Sequence, residues 1–303
     1  MATEQSFEDR FFDHLNKSDD SDEEGETWSV QKQRKPGKLT VQAGTTLEEQ
    51  EDEEEDGYKI NCEYFQRCKE FVDLLELGDS YFTDRGKFSQ CYCTDCHSKR
   101  GDNDFYTRGN PSSEYAIPIG WARFGLDVQK NKLEGRLKID ENWHVAFHGT
   151  RIESIADILD NGHLSIPGDV ALGGTKLSER IGHFTDNWKP NGFDTKQIFV
   201  SPTIRYAGTD AYACPVRVTA SESDEVLYKA RVAFQVWIRP KSYEIHEQTI
   251  GAKKRIDPVF KNDVLEWSTK ERAAVVPYGL LVKVNDPDDD DATLNVQRRG
   301  KRN

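Results

Sequence analysis

The sequence predicts an α+β protein whose folded centre is built around an antiparallel or mixed sheet and is flanked by charged tails. Two observations carry this prediction. Short runs of strand type recur in the second half of the chain, whereas helical stripes are few. The mean hydropathy is low, at −0.78, although 36% of the residues are hydrophobic. Polar residues must therefore be concentrated outside the core.

The excess charge lies in the first tail. Residues 1–57 hold 18 acidic and 6 basic side chains, which accounts for nearly all of the net charge of −13. Acidic runs repel themselves and bury little, so a disordered arm is predicted, with a second disordered tail at 286–303. Residues 58–285 are close to neutral. This argues against a nucleic-acid partner, which normally requires a basic face.

The first folded segment, residues 58–142, is predicted to be helical and then cysteine-rich. The stretch "NCEYFQRCKEFVDLLELG" has an apolar stripe at helical spacing and ends at Gly78. The stretch "CYCTDCH" brings Cys91, Cys93 and Cys96 within six residues. Three thiolates at this density can surround Zn²⁺, with a fourth ligand from His97, Cys68 or Cys62. The alternative is that they are ordinary small core residues.

The second folded segment, residues 143–285, begins with a strand, "WHVAFHG". Thr150 is predicted to cap the following helix together with Glu153, and "DNG" ends that helix. Residues 165–196 form a long polar loop. "QIFVSP", "RVAFQVWIRP", "VLEW" and "YGLLVKV" are predicted strands, and "TIRYAGTDAYA" is a short helix.

The junction His148-Gly149 needs an explanation, because packing requires neither residue there. Glycine lets a flat ligand approach the backbone closely. An aromatic strand with Phe199 follows, then Tyr206, and Glu266 lies on a late strand thirteen residues before "GLL".

These segments resemble the catalytic domain of ADP-ribosyltransferases of the diphtheria-toxin and poly(ADP-ribose) polymerase type. The matching pieces are "FHGTRIESIADILDNGHL", "QIFVSPTIRYAG" and "LEWSTKERAAVVPYGLLVKV", in the order of the family. The cysteine-rich segment and "YAIPIGWARFGL" are similar to the region before this domain in the C-terminal part of neuralized-like proteins. The resemblance implies a split antiparallel or mixed sheet with flanking helices.

The resemblance also implies roles for individual residues. His148 matches the histidine that binds a ribose hydroxyl of NAD⁺, and Gly149, followed by Thr150, matches the glycine that pairs with the nicotinamide carboxamide. Phe199 stands at the tyrosine of the family triad, and Tyr206 is nearest to the second ring around nicotinamide. Glu266 matches the catalytic glutamate. Glu271 is its rival, but the sequence around it is typical of a solvated turn.

The expected function is mono-ADP-ribosyl transfer from NAD⁺ to a protein acceptor, with structural Zn²⁺ in the preceding segment. Because Phe199 lacks the phenol hydroxyl, a degenerate fold that acts as an adaptor in a ubiquitin-linked complex is the alternative. An RNA 2′-phosphotransferase is a third reading, with Arg151, Arg180 and Arg205 as candidate phosphate ligands.

No apolar run is long enough to span a bilayer, and the N-terminus lacks a secretory pattern, so no membrane partner is expected. The predicted location is cytoplasmic, with the nucleus as an alternative because of the closing "RRGKR".

Overall fold

The computed structural model describes residues 27–29, 60–83, 88–127, 137–172, 174, 176–177, 193–219 and 226–286. Its strands are β1 (Thr27–Ser29), β2 (Gln90–Cys91), β3 (Phe105–Arg108), β4 (Ser113–Ala116), β5 (Ala122–Gly125), β6 (His144–Thr150), β7 (Ile198–Val200), β8 (Val216–Thr219), β9 (Val226–Ile238), β10 (Glu244–His246), β11 (Glu266–Thr269) and β12 (Val275–Asn285). Its α-helices are α1 (Glu63–Leu74), α2 (Thr94–Arg100), α3 (Ile139–Asn142), α4 (Ile155–Asn161) and α5 (Ile204–Ala207), with 3₁₀ turns at Asp79–Tyr81, Ile152–Ser154 and Asn262–Val264.

The main sheet has the order β1-β8-β9-β12-β5-β2, and β6 also pairs with β9. All of these pairings are antiparallel except β1 with β8. The thirteen-residue strand β9 pairs along most of one edge with β12. Its other edge is divided, because β8 pairs with its first half and β6 with its second half. The fold is therefore α+β with mostly antiparallel sheets, as the sequence predicts.

A second sheet with the order β10-β11-β7 lies against the open edge of β6. The two sheets meet at one bridge, where Phe147 and Ser201 exchange both backbone hydrogen bonds at 2.8 and 2.9 Å. Beyond this bridge β6 and β7 are not paired as strands. The gap between them is the feature that positions the site.

The centre of β9 is buried on both faces. Val232, Phe234 and Val236 form the predicted apolar face, but Gln235 and Trp237 on the other face are also buried, at 1% and 4% exposure. The alternation of the sequence predicts a half-buried strand, and this prediction is wrong because β9 lies in the middle of the sheet with other elements over both faces.

The segment 58–142 contributes to the same sheet and core as the segment 143–285. Strand β5 pairs with β12, and β2 pairs with β5. Helix α1 buries Phe65, Cys68, Phe71 and Val72 in the main core cluster. Within the predicted disordered arm, residues 27–29 form β1 beside β8; the rest of that arm, and residues 287–303 of the predicted tail, lie outside the described residues.

The predicted capping box at Thr150 does not form. Thr150 is the last residue of β6, and its hydroxyl makes a long contact of 3.4 Å with the carbonyl of Arg151. The chain first makes a 3₁₀ turn and becomes α-helical only at Ile155, where the N-cap Ser154 makes no side-chain capping bond. None of the helices in the described part of the chain is long and apolar enough to cross a bilayer.

Candidate functional site

A cavity of about 470 Å³ opens where β6 and β7 diverge. Its volume lies within the range of roughly 300–1,000 Å³ that is usual for small-molecule sites. Helix α4 forms part of the wall, and the start of β11 lies inside it. All of the sequence-predicted ligand-binding and catalytic residues line this one cavity: His148, Gly149, Thr150, Phe199, Tyr206 and Glu266.

The side chain of His148 links β6 to β7 at the point where the two strands diverge. Its Nδ1 lies 2.8 Å from the carbonyl oxygen of Phe199. A carbonyl can only accept, so Nδ1 carries the hydrogen and Nε2 keeps its lone pair. Burial lowers the pKa of His148, which the hydrogen bond to Phe199 only partly offsets. At neutral pH the imidazole is therefore uncharged, and its Nε2 can accept a hydrogen bond from a ligand hydroxyl.

Gly149 presents its backbone to the gap. Because Phe147 bonds to Ser201 on the edge away from β9, the N–H and C=O of Gly149, two residues on, point to the same edge. There β7 has diverged, and Gly149 lines the cavity. The expectation that packing does not require this glycine is wrong, because a Cβ would lie 2.0 Å from the Ala207 carbonyl oxygen and 2.7 Å from the Tyr212 Cβ.

Glu266 is the most enclosed acid of the site, at 1% exposure. Its Oε2 accepts hydrogen bonds from the hydroxyls of Tyr206 at 2.6 Å, Thr249 at 2.8 Å and Tyr212 at 2.9 Å. Its Oε1 is buried and has no hydrogen-bond partner in the described part of the chain. A buried acceptor without a partner is costly in a protein that has no use for it. A ligand could use this buried oxygen as an acceptor only by reaching it from the cavity that Glu266 lines.

The two tyrosines at Glu266 remain hydroxyl donors. Burial raises the pKa of Tyr206, and the negative charge of Glu266 raises it further. Burial likewise raises the pKa of Tyr212 far above its ordinary value, with added contributions from Tyr206 and Glu266. The ring of Tyr206 is almost fully buried, at 2% exposure. Its hydroxyl contacts the carboxylate, so its main contact differs from the ring stacking that the family resemblance implies.

Phe199 contributes an aromatic ring to the cavity wall. One face of this ring stacks on Phe193, with ring centroids 5.5 Å apart and an interplanar angle of 10°. Phe193 and Gln197 also line the cavity. The cavity therefore combines aromatic rings with a buried carboxylate, a combination that suits a flat ring attached to a hydroxylated group.

Sequence reasoning missed Tyr212, Thr249 and Phe193. They lie outside the segments that resemble the family, and no periodicity marks them, because the fold brings them to the cavity or to Glu266 from separate parts of the chain. The preference for Glu266 over Glu271 agrees with their positions. Glu271 lies on a surface turn, where it pairs with Arg239.

The arginines that a phosphotransferase would need do not line the cavity in the described residues. Arg151 is exposed, and Arg205 pairs with Asp257 at 3.7 Å. Arg180 lies outside the described residues.

A second site is formed by thiols. Cys62, Cys91, Cys93 and Cys96 place their sulfurs within 4.8 Å of one another, close enough to bind one metal ion. The Cys62 sulfur lies 3.6 Å from that of Cys91 and 3.7 Å from that of Cys93. The backbone N–H groups of Cys93 and Cys96 point at the sulfurs of Cys91 and Cys93, each at 3.5 Å.

The fourth sulfur of the cluster belongs to Cys62. The predicted ligands Cys68 and His97 are not part of this group. Cys68 is fully buried in the core, where its sulfur contacts the Val282 carbonyl. Burial raises its pKa to about 12, which keeps it a neutral thiol. His97 follows Cys96 on α2, and its Nε2 lies 3.1 Å from a carboxylate oxygen of Asp104. Side chains of consecutive residues on a helix point about 100° apart, so His97 points away from an ion that Cys96 would bind.

A search of the chain against models of known protein families found no match.

Proposed function

We propose that this protein is a mono-ADP-ribosyltransferase, which moves ADP-ribose from NAD⁺ to a protein side chain and releases nicotinamide. The observation that carries the proposal is the carboxylate of Glu266, whose Oε1 has no hydrogen-bond partner among the described residues, in the same cavity as His148 and Gly149. The three groups differ in chemistry, and each matches a different part of a nucleotide with a ribose and a carboxamide.

The chemistry follows from this arrangement. In the first step the bond between the ribose C1 and nicotinamide breaks, and nicotinamide leaves with the electron pair. Positive charge develops on the ribose, and a fixed carboxylate stabilises it more in the transition state than in the ground state. An acceptor nucleophile then forms the new bond to C1 and loses its proton. Phe199 and Phe193 exclude water that would otherwise hydrolyse the sugar cation.

The test compares two glutamates. The full chain is incubated with NAD⁺ labelled in the adenylate part, and protein labelling and nicotinamide release are followed. Glu266→Gln keeps the size of the side chain and is expected to lower the rate by about 10²-fold or more. Glu271→Gln, on the exposed turn, is the matched control and should keep the wild-type rate. Equal rates for wild type and Glu266→Gln would refute the role of Glu266.

The second candidate is a binding module that no longer transfers. It is favoured by Phe199, which keeps the ring of the family tyrosine but has no hydroxyl to orient a ligand. Calorimetry with NAD⁺ separates the candidates. Binding without nicotinamide release indicates a degenerate module. If the protein shows no binding and no release, NAD⁺ is not its ligand.

We also infer that the four-cysteine cluster holds structural Zn²⁺. A tetrahedral ion with Zn–S bonds of about 2.3 Å requires sulfurs about 3.8 Å apart. The separations of 3.6 and 3.7 Å from Cys62 fit this edge length. Thiolate ligands favour zinc over the hard cations. Four protein ligands leave no open position, so the metal would hold the start of α1 to β2 and α2, not carry out catalysis.

Metal content tests this inference. The purified chain should contain one zinc per molecule, and Cys62→Ser should lose most of it. Cys214→Ser, at an exposed cysteine outside the cluster, and His97→Gln should both keep the metal. Full zinc content in Cys62→Ser would contradict the assignment.

A further inference from the structure

We propose that Tyr212 and Thr249 are positioning residues, which together with Tyr206 hold one oxygen of Glu266 so that the other oxygen faces the ligand. This inference deepens the proposed function and rests on it, since it explains how the carboxylate is oriented for the sugar. We call the three hydroxyls of Tyr206, Tyr212 and Thr249 the hydroxyl clamp.

The clamp is built from three parts of the chain. Tyr206 lies on α5, Tyr212 on the turn after it, and Thr249 on the loop after β10. The three hydroxyl oxygens are also close to one another: Tyr206 to Tyr212 at 2.7 Å, Tyr212 to Thr249 at 3.2 Å, and Tyr206 to Thr249 at 3.3 Å. The backbone N–H of Thr249 donates to the Tyr206 hydroxyl at 3.0 Å. Because each hydroxyl has one hydrogen and donates it to Glu266, the distances between the hydroxyls are close contacts, and the bond from the Thr249 N–H to the Tyr206 hydroxyl links two members of the clamp.

All three hydroxyls bond to the same oxygen, although a carboxylate offers two. The Oε2 atom receives bonds from all of them, and the Oε1 atom receives none from the described residues. If the clamp served only to neutralise a buried charge, donors on both oxygens would do so better. The asymmetry fixes rotation about the last bond of the side chain and leaves a single acceptor for the ligand. This is the arrangement expected where orientation limits the rate.

The test uses pairs of variants at one position. Thr249→Val removes the hydroxyl and keeps the shape, whereas Thr249→Ser keeps the hydroxyl. Thr249→Val is expected to lower kcat for nicotinamide release about tenfold with KM for NAD⁺ within about twofold, as for the loss of an orienting partner. Thr249→Ser should recover most of kcat. Tyr212→Phe should behave like Thr249→Val, and each variant is checked for an unchanged thermal unfolding midpoint.

The outcomes are distinct from those of the proposed function. If wild type is active and Thr249→Val matches it, or if Thr249→Ser is as slow as Thr249→Val, the positioning role is overturned. If wild type shows no turnover, the proposed function fails, and a crystal structure of the Tyr212→Phe/Thr249→Val double variant decides the inference. The carboxylate of Glu266 should then turn from its wild-type orientation, and an unchanged orientation overturns the clamp.

Discussion

His148 shows how strongly the neighbours of a residue determine its chemistry. An exposed histidine is partly protonated near neutral pH. Here burial lowers the pKa, and the Phe199 carbonyl fixes the hydrogen on Nδ1. The ring thus presents one lone pair to the cavity. Nothing in the sequence "FHGT" specifies this tautomer, because the acceptor lies fifty-one residues away in the chain.

The lowered pKa of His148 predicts a pH dependence of stability. Between its pKa in the folded protein and its ordinary value of about 6.5, the unfolded chain binds more protons than the folded one. Stability should therefore fall as the pH drops below about 6.5. In thermal unfolding, the loss between pH 7.5 and 5.5 should be smaller in His148→Gln than in wild type. His246→Gln, at a partly exposed histidine, is the control, and an equal loss in wild type and His148→Gln would count against the lowered pKa of His148.

Sequence reasoning named some residues of the cavity and its surroundings and missed others for a physical reason. Glu266 and His148 stand in segments with strong local patterns, so they could be identified. Tyr212 and Thr249 contact Glu266 across 54 and 17 residues of sequence, so these contacts form through folding and not through a local pattern. Side chains that position another side chain leave no local signature.

At the level of elements, β6 and α5 lie so close together that only glycine fits at position 149. The Ala207 carbonyl at the end of α5 lies against the position where a Cβ would be. This approach brings Tyr206, on the same helix, to Glu266. Packing against Ala207 is therefore by itself a sufficient reason for glycine at position 149.

Gly149→Ala is expected to destabilise the protein. The new methyl group meets backbone at 2.0 Å, so β6 and α5 must separate, and overpacking of this kind typically costs about 1–3 kcal/mol. Urea unfolding measures the change. Gly78→Ala is the matched control, because its φ of −62° suits alanine and the nearest atom lies at an ordinary 3.7 Å. A Gly149→Ala protein as stable as wild type would show that the contact is easily relieved.

Whether an element was predictable depended on how much of its pattern is local. Helix α1 and strands β7, β11 and β12 follow from apolar periodicity and turn residues. The thirteen-residue length of β9 and the burial of Gln235 do not, because both are imposed by the strands beside it. The capping box at Thr150 failed because extending β6 to Thr150 and pairing it with Val232 uses the residue as strand.

The main sheet contains strands from both sides of the predicted boundary at residue 142. Strand β12 carries β9 on one edge and β5 on the other, so residues from both predicted segments share its hydrogen bonds. Helix α1 covers the same core. The cysteine cluster lies where α1 meets the edge of the main sheet, since Cys62 precedes α1 and Cys91 ends β2.

A chain that begins at residue 143 should not fold cooperatively. It would lack β5 and β2 and expose the apolar surface that Phe65, Phe71 and Val72 cover. Thermal unfolding monitored by circular dichroism should show a broad transition, or aggregation, in place of a single cooperative one. A chain of residues 58–303 is the control and should unfold cooperatively. A sharp transition for 143–303, close to that of the full chain, would show that the second segment is independent.

The sequence by itself determined the α+β class, the near-neutral centre with its acidic arm, and the residue types of the two sites, because composition, periodicity and short motifs are local properties. Only the tertiary structure decided that Cys62 completes the thiol cluster, that one sheet joins the two segments, and that three hydroxyls hold a single oxygen of Glu266. Those facts depend on contacts between residues far apart in the chain. Such contacts are fixed by packing and by the need to satisfy buried polar groups.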